Sequence, residues 1–119
     1  MATISKVKLS GSTDGRPVPV VATASTGTTI HTGTTTTADY EEIWMWASNI
    51  NTSAETLTLE WGTTGVGNEC KTIIQPSETV LVAPGWVLKG NGSALIVRAF
   101  STTASKVNIV GYLNLIDAA

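Results

Sequence analysis

The sequence predicts an all-β protein, a single-domain antiparallel β-sandwich of jelly-roll-like type, and three observations predict it. No segment places apolar residues at helical spacing over three turns. Glycine, proline or Ser/Thr clusters break the chain about every ten residues. Between the breaks lie eight to ten short runs rich in β-branched and aromatic residues, more than an open sheet of this size accommodates. With 119 residues the chain buries roughly two-thirds of its unfolded surface, enough for one core without disulfides or metal. No composition shift or internal repeat divides it, so residues 1–119 read as one domain.

Each element follows from its own pattern. Lys6-Val7-Lys8-Leu9 alternates as a strand, residues 11–15 form a turn, and residues 18–21 make a second strand. Pro17 and Pro19 confine that strand to a sheet edge or a strand start, because proline donates nothing to a ladder. Residues 24–38 are almost wholly Thr, Ser, Gly and Ala around Ile30 and His31, a short strand between loops. In residues 42–48, Trp44 and Trp46 share one face while Ile43, Met45 and Ala47 share the other, which predicts a strand covered on both sides. Residues 56–61 alternate cleanly, with Leu57, Leu59 and Trp61 inward and Thr56, Thr58 and Glu60 outward. After a loop at 62–68 come strands at 70–74 and 80–82, a Pro84-Gly85 turn, and a strand at 86–88. Asn91-Gly92 fits a tight hairpin with positive φ. Residues 95–100 and 107–116 are the last two strands.

Composition excludes several function classes. Charged residues make up 13% of the chain, about half the ordinary share, and the formal net charge is −2. A hydrophobic content of 42% argues against disorder. The seven Lys and Arg are scattered singly, so the basic patch that nucleic-acid binding requires is missing. No apolar run reaches the roughly 18 residues of a membrane span, and the first residues lack the layout of a secretory signal, which predicts a product made in the cytoplasm with no membrane partner. Threonine and serine supply about a quarter of the residues. Such short neutral hydroxyls suit a surface packed against neighbouring subunits, and equally an ordinary solvated β face.

The search for chemistry yields little. His31 is the only histidine, so neither a Ser-His-Asp triad nor a multi-histidine metal site is complete. Cys70 is the only cysteine and reads as a small core or edge residue. Asp39, Glu41 and Glu42 cluster at a strand entry, but alternation puts Glu41 and Glu42 on opposite faces. The glycine-rich stretches 62–67 and 90–92 are not followed by Lys-Ser/Thr and a helix, so they read as turns. No catalytic residue, metal or cofactor is expected. Among the four tryptophans, Trp61, Trp44 and Trp46 read as core or interface, whereas Trp86, following Pro84-Gly85, is the best candidate for an exposed anchor.

The run from Asp39-Tyr40-Glu41-Glu42-Ile43-Trp44 through Ala54-Glu55-Thr56-Leu57-Thr58-Leu59-Glu60-Trp61-Gly62 resembles small structural proteins of tailed bacteriophages. Val80-Leu81-Val82-Ala83-Pro84-Gly85 and the ending Val107-Asn108-Ile109-Val110-Gly111-Tyr112-Leu113-Asn114 fit the same pattern, which covers about two-thirds of the chain. The resemblance implies a non-enzymatic virion component, foremost a capsid decoration or cement protein on the outer head surface. Its implied partners are the major capsid protein and further copies of itself, as a trimer or dimer at a symmetry axis. Residues 1–21 lie outside the resemblance and read as edge strands of the domain or as an N-terminal arm able to add to a neighbour's sheet. The expected interface residues are Trp86, Ile30 and His31, with Pro17 and Pro19 on the arm. A different class, a receptor- or carbohydrate-binding module of a tail, neck or fibre, is suggested by Trp86 and the loops at 62–68 and 90–93.

Overall fold

A computed structural model describes residues 2–118. Nine strands form two antiparallel sheets: β1 (Thr3–Lys8), β2 (Val18–Pro19), β3 (Thr28–Thr32), β4 (Tyr40–Asn49), β5 (Glu55–Gly62), β6 (Glu69–Ile74), β7 (Thr79–Lys89), β8 (Ile96–Ser101) and β9 (Val107–Asp117). A single turn of 3₁₀ helix, Val66–Asn68, precedes β6. Sheet A runs β1-β9-β4-β7, with β2 continuing the β1 edge along β9, and sheet B runs β3-β8-β5-β6. The pairing is nested: β5 with β6, β4 with β7, β3 with β8, and β1 with β9. One long antiparallel hairpin folded over itself gives this order, which is the jelly roll expected from the sequence.

The core lies between the sheets. Ile43, Met45 and Ala47 from β4 and Leu113 and Ile109 from β9 face Leu57 and Leu59 from β5 and Val97 and Ala99 from β8, all essentially inaccessible to solvent. Burying side chains of this size contributes about 1.5–3 kcal/mol each. Gly111 sits where β9 and β4 approach most closely: a Cβ there lies 2.0 Å from the Trp44 carbonyl oxygen, so only glycine fits.

Several expectations change. Of the two readings of residues 1–21, edge strands is the one seen over residues 2–21: β1 and β2 pair with the chain's own β9, and Leu9, Val18 and Val20 enter the core. Met1 of the expected arm lies outside the described residues. The proline argument holds, since β2 pairs only with β9 at the sheet edge. Pro84-Gly85 does not end a strand. β7 runs through it because β7 is an edge strand that tolerates a proline, and the register shift between Ile43 and Trp44 takes up Gly85 at φ 72°. Asn91-Gly92 makes no hairpin, because β7 and β8 belong to different sheets. The positive φ falls on Ala94, while the Asn91 side chain accepts the Ser93 amide.

The outward face of β5 is also covered. Glu60 is wholly buried, accepting the Ser25 hydroxyl and, at 2.8 Å, the Gly27 amide. Part of the threonine-rich stretch thereby folds back over sheet B of its own chain instead of waiting for a neighbour.

Candidate functional site

The main candidate surface is the outer face of sheet A. Strand β4 is apolar on both faces, as its sequence shows, yet only the inner face is covered within the chain. Residues paired across antiparallel strands share a face. Trp44 stands beside Tyr112, Trp46 beside Val110 and Leu81, and Tyr40 beside Ile116 and Lys89. Trp46 stacks on Tyr112 with centroids 6.3 Å apart and rings inclined by 27°. Trp44 lies against Gly85, whose missing side chain makes room for the indole. Trp44 and Trp46 remain half-buried, while Ile4, Tyr40, Leu81 and Val87 are exposed.

Polar groups on this face are few and engaged. The Glu42 carboxylate accepts the Trp44 indole N–H at 2.9 Å and the Asn114 amide at 3.0 Å, and these bonds hold its carboxyl below the usual value despite slight desolvation. Lys6 lies over the Tyr112 ring at 4.6 Å and Lys89 over Tyr40 at 4.9 Å. These ammonium groups favour the negative ring faces and leave the aromatic band bordered by positive charge.

A second feature is a cleft of about 300 Å³ between the sheets, where edge strand β7 passes edge strand β6. It is lined by Trp61, Trp86, Cys70, Gly67, Asn68 and Glu69. The two indoles meet edge to face, 5.3 Å apart at 84°, and the Trp61 N–H donates to the Val87 carbonyl, which fixes that ring. Trp86 is therefore half-buried against Trp61, not held out on a loop. The structure brings it together with the 62–68 loop, two features that sequence distance alone leaves unconnected.

The remaining expected interface residues divide. Pro17 and Pro19 are exposed. Ile30 and His31 are not: both are buried, because a register shift in β3 between Thr29 and His31 turns two successive side chains inward. The His31 Nε2–H donates to Glu41 Oε2 at 2.9 Å, and Nδ1 accepts the Ser10 amide at 3.0 Å. Glu41 also accepts the Thr34 amide. Ser10, His31 and Glu41 thus have the composition of a hydrolase triad but not its wiring. The imidazole lone pair is occupied by the Ser10 backbone N–H, and the Ser10 hydroxyl accepts the Thr32 amide. The trio ties β3, the 9–12 turn and β4 together.

Among the described residues no group of three His, Cys, Asp or Glu converges as a metal site, and no helix is long and apolar enough to cross a membrane. Comparison with protein-family models, curated proteins and solved structures gives no match to this chain.

Proposed function

We propose that this protein is a non-enzymatic structural subunit of a tailed-phage particle, a capsid decoration protein that docks on the major capsid protein through the outer face of sheet A. The carrying observation is β4, whose second apolar face, Trp44 and Trp46 with Tyr112 beside them, is left half-buried, with no strand or loop of the described residues packed over it. Contiguous apolar surface of this kind on a soluble domain marks an interaction site. Sheet B offers no comparable face, since the 22–27 segment is bonded to Glu60 there. The resemblance of the sequence to phage structural proteins supplies the partner.

The dimensions suit such a role. Three strands of 10 or 11 residues and the 6-residue β1, about 4.8 Å apart, make a face of roughly 600 Å². A standard stable interface takes about 800 Å² per partner, so one copy binds modestly and a symmetric array gains by avidity. The test is co-sedimentation with expanded empty heads prepared from the source of the gene, with head rupture temperature as second readout. The wild-type chain is expected to bind and raise that temperature, and Trp46→Lys to do neither while keeping its β-sheet circular dichroism. No binding, or binding indifferent to Trp46→Lys, overturns the proposal. Self-association at this face without head binding reassigns it to a second copy and overturns it as well.

A further inference from the structure

We infer that the cleft between Trp61 and Trp86 is a binding site for one pyranose ring of an uncharged glycan. This site is separate from the sheet A face and does not depend on the docking role. At about 300 Å³ the cleft lies at the small end of ligand sites, which suits a single ring or the terminal ring of a longer chain. Its walls are two indoles held at right angles, one locked by its bond to Val87. A preorganised aromatic wall of this kind favours a ligand with an apolar C–H face and disfavours a flexible polar one.

The polar groups around the cleft match hydroxyls. No buried side-chain polar atom among the described residues lacks a partner, so the Trp86 indole N–H, which has none within the chain, reaches water and is free to donate. Asn68 uses its amide N–H on the Thr64 carbonyl, leaving its oxygen as an acceptor. Strands β6 and β7 are both sheet edges, so backbone groups beside the cleft lack a ladder partner on that side, the Val87 carbonyl being taken by the Trp61 N–H. No lysine or arginine lines it, which disfavours phosphorylated, sulfated or sialylated ligands. A ring with one C–H face and several hydroxyls satisfies each of these conditions.

Gly67 provides a clean test. Gly67 lines the cleft, a Cβ there meets nothing within 4 Å and its φ is not positive, so a large side chain can be placed beside the cleft without disturbing the fold. The folded protein is titrated with the methyl glycosides of glucose, galactose, mannose and N-acetylglucosamine, following the Trp86 indole N–H resonance, with choline and sialic acid as further arms. Binding of at least one neutral glycoside is expected, weakened about tenfold or more by Gly67→Tyr and also by Trp86→Phe. Unchanged thermal melting of Gly67→Tyr separates cleft blocking from misfolding. Absence of binding by all four glycosides overturns the inference. So does binding that ignores Gly67→Tyr, or preferential binding of choline or sialic acid.

Discussion

Replacing Glu60 by glutamine tests whether the 22–27 segment is held over sheet B by a buried carboxylate. Glu60 is wholly inaccessible, and both its oxygens accept from that segment, one from the Ser25 hydroxyl and one from the Gly27 amide. Hydrogen bonds to an ionised acceptor contribute about 1.5–3 kcal/mol each, neutral ones about 0.5–1.5. Glutamine gives its carbonyl to the Gly27 amide and its NH₂ to the Ser25 hydroxyl, which turns to accept, so both bonds persist but each loses the strength of an ionised acceptor. Removing the desolvation cost of the carboxylate returns part of this, which leaves a net loss of about 1–3 kcal/mol. For a domain of this size that lowers Tm by very roughly 4–12 °C. Urea melts read the global loss, and amide exchange at Gly27 reads the local one. A variant with unchanged stability and unchanged Gly27 protection refutes the clamp and reopens the outer face of sheet B as a docking surface.

Two further outcomes follow from the geometry. Gly111→Ala forces a Cβ to 2.0 Å from the Trp44 carbonyl, so β9 must part from β4. A loss of about 3 kcal/mol or more, or failure to fold, is expected in a denaturant melt, whereas Gly67→Ala, with open space around its Cβ, serves as the neutral control. Acid sensitivity is expected from Glu55. Burial pushes its carboxyl up, but bonds from Asn51 and Thr103 and the charge of Lys106 outweigh this and hold it below its ordinary value of 4.5. A lowered folded-state value means stability that is complete above about pH 4.5 and is lost as pH falls through the lowered value. Glu55→Gln should flatten that acid limb in a stability-versus-pH series.

The fold was legible because alternation and turn residues report strands directly. β4, β5, β8 and β9 fall within a residue or two of where their patterns put them. What escaped the sequence depends on sheet membership. Asn91-Gly92 has hairpin chemistry, but the strands on either side lie in different sheets, and no local pattern encodes that. Ile30 and His31 escaped because alternation assigns them opposite faces, while a bulge turns both inward. Of the candidate surfaces, the two-sided apolarity of β4 is visible in the sequence, while which side the chain itself covers is not: the inner side is buried and the outer side, with Trp44 and Trp46, is left half-buried. The cleft was visible only as separate pieces, Trp86 and the 62–68 loop, since the edge-to-face meeting with Trp61 is a contact between sheets.

The thin charge of this chain acquires a sharper meaning once the carboxylates are located. Of nine acidic residues, Asp39, Glu41, Glu55 and Glu60 are buried. Each accepts at least one backbone amide from a loop or chain end: Ala118, Thr34, Thr103 and Gly27 respectively. They act as loop fasteners, a use that needs no lysine or arginine partner. Removing four from nine leaves five acidic residues outside the core against seven Lys and Arg, so the surface carries a slight basic excess although the whole chain is at −2. Of those seven basic residues, Lys6, Lys8 and Lys89 belong to the outer face of sheet A by register, around the Trp44, Trp46 and Tyr112 band. A surface docked there under the proposed role has to be apolar at its centre and carry carboxylates at its rim, because lysines buried opposite lysines cost more than the apolar contact returns. The scarcity of charge thus reflects where the acids are spent, and it constrains the partner more tightly than the net charge does.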